Sequence, residues 1–167
     1  CNNLVFSSSA TIYQEKDDSL LNENSKLGPI NPYGNTKMTI EIILKDLFKS
    51  TEKYWKFASL RYFNPIGAHE SGLLGEYPKG IPRNIFPLIL NTALGIQDEL
   101  QIYGNDWPTE DGTGVRDYIH VMDLAESHIR ILDFLILNNS IYLNINVGTG
   151  IGTSVLELIQ VFEKTNN

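Results

Sequence analysis

The chain has 167 residues with a formal net charge of -7, 42% apolar and 20% charged side chains, and a single cysteine. That composition suits one globular domain with a sizeable core, and the acidic balance argues against a nucleic-acid surface, which is ordinarily basic. An anionic ligand would have to be met by a few well-placed cations. Cys1 alone excludes an internal disulfide framework and is compatible with a reducing compartment, while no run approaches the ~18 apolar residues of a membrane span.

The opening without Met, and the polar run Lys164-Thr165-Asn166-Asn167 at the other end, suggest that both ends are cut, so the lack of a visible signal peptide says little about location. Leu4-Val5-Phe6 followed by Ser7-Ser8-Ser9-Ala10-Thr11 predicts a short buried strand whose carboxyl end runs into hydroxyl groups, the end at which open parallel sheets bind ligands. A serine-rich turn that satisfies its own backbone is the plainer alternative. Residues 14–31, with Asp17-Asp18, Asn22-Glu23-Asn24 and Gly28-Pro29, read as a surface excursion.

Asn31-Pro32-Tyr33-Gly34-Asn35-Thr36-Lys37 then opens a helix. Asn31 suits the cap and Pro32 the first turn, and Ile40, Ile43, Leu44, Leu47 and Phe48 recur at helical spacing. The expected buried stripe runs 33, 37, 40, 44, 47. Tyr33 and Lys37 lie four apart and so share a face, where an ammonium can favour the phenolate of a tyrosine acting as a base. A boundary tyrosine beside a lysine that snorkels to water has the same spacing.

Phe57-Ala58-Ser59-Leu60-Arg61-Tyr62-Phe63 predicts the next strand, broken by Asn64-Pro65, so strand–helix–strand implies a parallel pair with a crossover. Gly67 to Pro82, with His69, Glu70 and Glu76, reads as loop, Asn84–Leu94 as a helix stopped by Gly95, and Leu100-Gln101-Ile102-Tyr103 as a short strand. A long polar loop over 104–114 leads to Val115-Arg116-Asp117-Tyr118-Ile119-His120-Val121. Asp123 is then expected to cap a helix with the stripe Ala125, Ile129, Leu132 and Ile136, followed by a strand over Tyr142–Val147 and a helix capped by Ser154 with Val155, Leu158, Ile159 and Phe162 inward.

Gly148-Thr149-Gly150-Ile151-Gly152 sits between strand and helix like a phosphate loop. The third glycine of the dinucleotide fingerprint would fall at Thr153, and its acidic partner would lie beyond Asn167, so a tight turn is the better reading. Asp106, Glu110 and Asp111 lack calcium-loop spacing, and His69, His120 and His128 lack paired ligand spacing; no metal is expected, and His128 reads as a packed residue.

Six stretches in order, FSSSATIY, PYGNTK, LRYFNPIGAH, GIPRN, YGNDWPTEDGTGVRDYIHVMDLA and NVGTGIGTSVLE, resemble the UDP-glucose 4-epimerases of the extended short-chain dehydrogenase/reductase family. The resemblance runs almost end to end, and departs from the usual pattern between Tyr13 and Pro32, where the glycine that commonly follows the tyrosine is missing. It implies an α/β fold, an NAD(P)-binding Rossmann-type doubly wound parallel sheet, represented by its C-terminal half plus part of a small substrate-binding lobe. The implied division is 1–66 for the cofactor domain with the catalytic pair, 67–120 for the UDP-sugar lobe and 121–167 for a return to the first domain.

The activity implied is interconversion of UDP-galactose and UDP-glucose in galactose metabolism. A tightly bound NAD would take a hydride from C4 of the hexose, and the 4-keto sugar would turn over and receive it on its other face. Tyr33 would be the base at the C4 hydroxyl, Lys37 would support it and bond the nicotinamide ribose, and Ser9 would hydrogen-bond the same sugar hydroxyl. Ser7, Ser8, Ser9, Tyr33, Lys37, Tyr62, Phe63 and Pro65 would meet the cofactor. Asn64, Asn84, Ile85, Gln101, Tyr103 and Arg116 would join Ser9 and Tyr33 in binding substrate, with Arg116 on the diphosphate, where an ion pair with neighbouring acids is the alternative. A cytoplasmic homodimer is also implied. Rival readings are a related nucleotide-sugar epimerase, dehydratase or decarboxylase, although the Thr-Asp-Glu usual in dehydratases is replaced here by Ser9-Ala10-Thr11, and a non-catalytic fragment.

Overall fold

In the computed structural model, residues 1–14, 20–51 and 54–166 are described, so the Asp17-Asp18 part of the expected excursion lies outside the described residues. The elements in chain order are β1 (Asn3–Ser9), a 3-10 turn (Ala10–Ile12), α1 (Pro32–Ser50), β2 (Lys56–Tyr62), β3 (Asn64–Ile66), α2 (Ile85–Ala93), β4 (Val115–Arg116), β5 (Tyr118–His120), α3 (Val121–Leu137), β6 (Ile141–Val147), β7 (Thr153–Ser154) and α4 (Val155–Thr165). They form two compact units. The first holds Cys1–Phe63 and Asp123–Gly148, and the second Asn64–Met122 and Thr149–Asn167. The expected division returned everything after 120 to the first domain, whereas β7 pairs antiparallel with β4 and thereby ties the stretch from Thr149 to the second unit.

The first unit is built on a parallel sheet of order β1-β2-β6, with Ser9 beside Tyr62 and Tyr62 beside Val147, so the three carboxyl ends lie level. Residues 57–61 of β2 are buried, as expected for the central strand of a sheet covered on both faces. Successive side chains leave opposite faces of a strand. Accordingly Ser8 reaches Glu41 of α1 while Ser7 reaches His128 of α3.

Helix α1 begins where the sequence requires. The Asn31 side chain accepts from the Gly34 N–H at 2.8 Å and Pro32 fills the first turn. Its buried line differs from the expected one and runs through Gly34, Glu41 and Leu44, leaving Tyr33 half exposed and Ile40, Ile43 and Leu47 at the surface. Two contacts turn the helix. A Cβ on Gly34 would lie 2.6 Å from the Thr11 carbonyl oxygen, and Glu41 is drawn inward by Arg61 at 2.6 Å.

The same reversal occurs in α3, where Leu124, Ile131 and Leu135 are buried and the expected stripe of Ile129, Leu132 and Ile136 is exposed. The apolar side of this helix, opposite Asp123, Glu126, Arg130 and Asp133, is wide enough to hold both stripes, so periodicity offered two overlapping faces and packing chose the one carrying His128. It starts at Val121, directly after β5, which places Asp123 in the first turn rather than at the cap.

In the second unit, β3 pairs in parallel with β5, so Asn64-Pro65-Ile66 is a short strand and not merely a break. Leu100–Tyr103 has no partner and is not a strand, because an apolar alternation without a neighbour to bond supplies no ladder. Ser154 caps α4 and forms a capping box with Glu157. Among the described residues no helix is long and apolar enough to cross a membrane, and no group of metal-ligating side chains occurs.

Candidate active site

In the first unit the polar groups gather at the carboxyl ends of β1 and β2. Lys37 extends from the first turns of α1 to the end of β1, donating to the Ser7 carbonyl at 2.8 Å with its Nζ 5.4 Å from the centre of the Tyr33 ring and 5.3 Å from that of Phe6. Helical spacing thus brings phenol and ammonium together, and the strand carbonyl holds the ammonium there. A lysine snorkelling to water would not be tied to a strand in this way. One ammonium proton is used on Ser7, leaving two for a ligand.

Ser9 is nearly buried and caps the 3-10 turn. Its oxygen accepts from the Thr11 N–H at 3.2 Å and the Thr11 hydroxyl at 3.0 Å. With both lone-pair directions taken, the Ser9 proton is the part left to offer, so the turn that satisfies its own backbone also fixes this hydroxyl as a donor. Tyr62 stands beside Tyr33. Burial raises its pKa above the usual phenol range and the neighbouring Tyr33 adds to the rise, with a partial offset from Ser7. Tyr62 is therefore held as a neutral phenol. The Phe63 N–H donates to Val147 at 3.1 Å, which fixes the backbone at this edge.

Ser8 differs from its expected role. Its hydroxyl is fully buried and donates to Glu41 at 2.5 Å, within a network in which Glu41 also takes two hydrogen bonds from Arg61. Burial disfavours the Arg61 charge, but the bonds to Glu41 and Tyr13 outweigh it and raise the guanidinium pKa further. Arg61 also donates to the Tyr13 hydroxyl at 3.0 Å and the Glu23 carbonyl at 3.2 Å, and Tyr13 donates to Asn146 at 2.6 Å. Helix, strand and excursion are joined by this cluster, which explains why Glu41 displaced an apolar residue from the inward face.

The second unit contains a cavity of about 330 Å³ whose wall includes Asn64, Asn84, Ile85, Tyr103 and Arg116 from the expected substrate set. Pro65, expected at the cofactor, lies in this same wall, and Gln101 does not; it accepts from the Tyr103 hydroxyl at 3.0 Å. Arg116 forms no ion pair among the described residues and bonds only the Val115 carbonyl, so its charge is available. Sequence reasoning missed Arg83, Glu76 and Trp107 in the wall. Arg83 directly precedes Asn84, and a count of cations around an anionic ligand would have flagged it. The Asn84 amide donates to Glu76 at 2.6 Å rather than capping α2, so the first turn of α2 has no side-chain acceptor.

Asp117 was also missed. Its carboxylate accepts from the Thr149 N–H at 2.9 Å, the Thr149 hydroxyl at 2.7 Å and the Gly150 N–H at 2.8 Å. Gly150 has φ +74°, and the turn's amides are spent on an internal carboxylate. The tight-turn reading of this glycine run therefore holds, and no free phosphate loop is formed there.

Residues 1–148 match the family model for the NAD dependent epimerase/dehydratase family. The UDP-glucose 4-epimerase of Bacillus subtilis (strain 168) is 51% identical over 163 residues, covering 98% of this chain and 48% of that protein. UDP-glucose 4-epimerase 2 of Oryza sativa subsp. japonica is 52% identical over 167 residues, covering 99% of the chain and 41% of that protein. The crystal structure of UDP-glucose-4-epimerase from Stenotrophomonas maltophila with bound NAD and formylated UDP-arabinopyranose superposes with a TM-score of 0.94 at 48% identity, covering 99% of this chain and 48% of that one. The chain thus spans about half the length of the relatives it matches.

Proposed function

Since the chain belongs to the NAD dependent epimerase/dehydratase family, we propose that the full-length protein is a UDP-glucose 4-epimerase that interconverts UDP-galactose and UDP-glucose by transient oxidation at C4. The observation that carries this reading is the Lys37 ammonium held between the Ser7 carbonyl and the Tyr33 ring at the carboxyl end of a parallel sheet.

The residues present fit NAD. Two spare ammonium protons on Lys37 suit a ribose diol, and a cation beside a phenol suits a base whose proton must leave and return. When bound, NAD supplies a reversible hydride acceptor. Tyr33, as the phenolate that the Lys37 ammonium stabilises, takes the proton from the C4 hydroxyl, holds it as a phenol and later returns it, and Ser9, fixed as a donor, holds the sugar oxygen. Tyr62, kept neutral, does not compete for the proton. Tyr62 and Phe63, at the end of β2, complete the cofactor set proposed for the first unit.

For the second unit we propose a hold on the UDP portion by Asn64, Asn84, Ile85, Gln101, Tyr103 and Arg116. Arg116, whose planar fork suits two phosphate oxygens, and Arg83 supply the cations that an acidic chain needs for an anionic ligand. A homodimer is supported by the exposed apolar row Ile40, Ile43 and Leu47 on α1, a surface that water covers poorly. The proposed setting is galactose metabolism in the cytoplasm. Incubation of the full-length protein with UDP-galactose, without added NAD, should give UDP-glucose by chromatography, and a parallel reaction with UDP-N-acetylgalactosamine will define its breadth. A dehydrated keto sugar, or no product, would refute the epimerase assignment.

A further inference from the structure

We infer that His128 of α3 is a positioning residue for proton transfer: with its tautomer fixed by its own helix, it orients the Ser7 hydroxyl and so steadies the strand carbonyl that holds the Lys37 ammonium. The inference rests on the epimerase reading above, and concerns side chains of the first unit alone. A carbonyl oxygen can only accept, so the 2.8 Å contact between His128 Nδ1 and the Leu124 carbonyl requires the proton on Nδ1. That leaves Nε2 as the nitrogen able to accept, 3.0 Å from the Ser7 Oγ, so the proposed bond runs from the Ser7 hydroxyl to Nε2.

Ser7 is thereby held from both faces of the sheet. Its hydroxyl is taken by α3, and its carbonyl accepts from Lys37 of α1 at 2.8 Å. Tyr62 stands on the same side of the sheet, its ring centre 6.4 Å from that of His128. A histidine that merely fills space could be exchanged for another ring. One that fixes Ser7 needs an acceptor at the position of Nε2.

The test uses the full-length protein with His128→Phe, which keeps a ring without an acceptor, His128→Gln, which restores one, Ser7→Ala, and the double variant His128→Phe/Ser7→Ala. We expect His128→Phe to lower kcat about tenfold, roughly 1.4 kcal/mol and the scale of one hydrogen bond, with KM for UDP-galactose changed less than about twofold on that same scale. His128→Gln should recover most of the loss, and the double variant should be no slower than the slower single one, as expected for one pathway. Nitrogen-15 histidine NMR should show protonated Nδ1 and an Nε2 resonance that moves in Ser7→Ala. Wild-type kcat in His128→Phe, equal loss in His128→Gln, additive losses, or a protonated Nε2 would overturn the inference. Should His128→Phe fail to fold, Ser7→Ala and the resonances decide. A wild-type protein inert toward UDP-galactose would sink the epimerase reading, and with it any role in turnover, while the resonances still report whether the hydrogen bonds exist.

Discussion

Replacing Glu41 by Ala should be among the most damaging single changes in the first unit. Its carboxylate and the Arg61 guanidinium are 2.6 Å apart with side-chain exposures of 4% and 3%. Glu41 also accepts the Ser8 hydroxyl, and Arg61 holds Tyr13 and the Glu23 carbonyl. Removing the carboxylate strands a buried guanidinium and a buried hydroxyl, for which a loss of about 3–5 kcal/mol is expected. Replacing both partners with methionine should cost far less, because a buried pair exchanged for apolar volume is often neutral. Urea unfolding of the full-length protein, read as a midpoint shift at constant slope, measures both. An exposed pair is worth about 0–1 kcal/mol, so a loss below about 1 kcal/mol for Glu41→Ala would refute the claim that burial makes this pair matter.

Tyr33→Phe should cut kcat by about 10²–10⁴, the range for a lost general base, and steady-state assay with UDP-galactose tests it; near-normal turnover removes Tyr33 from that role. Arg116→Ala should raise KM for UDP-galactose by about 10- to 100-fold, the scale of hydrogen bonds to a charged group, and Arg83→Ala should act in the same direction. Gly34→Ala places a methyl 2.6 Å from the Thr11 carbonyl and 2.7 Å from Pro29 Cβ, and should lower stability by about 1–3 kcal/mol in the same urea assay. Asp111 is held below its usual carboxylate pKa by bonds from Ser154 and then Thr113. Because the folded pKa is the lower one, its stabilising effect is present above the unfolded value and lost as pH falls through the folded one. Asp111→Asn should therefore flatten the acid limb of the stability curve, and an unchanged limb would count against it.

Much of the fold follows from local chemistry. The cap of α1, the Ser154 cap of α4, the two long strands and the helix between them were legible because each depends on near neighbours in sequence. Leu100–Tyr103 was misread because a strand exists only with a partner, and the faces of α1 and α3 because apolar periodicity does not count an inward ion pair or choose between two apolar stripes. The Tyr33–Lys37 pair was legible for the same reason as the helix, four residues being about one turn.

By itself, then, the sequence determined the phenol–ammonium spacing, the order of strand and helix and the motif order that places the chain in its family. Alternation along β1 also required Ser7 and Ser8 to part company. Only tertiary structure decided that Ser8 would meet Glu41 and Ser7 would meet His128, that Asp117 would fill the glycine turn, and that Arg83 and Arg116 would share a cavity. Those pairings join residues far apart in the chain, where contact depends on how elements pack and no local pattern records it.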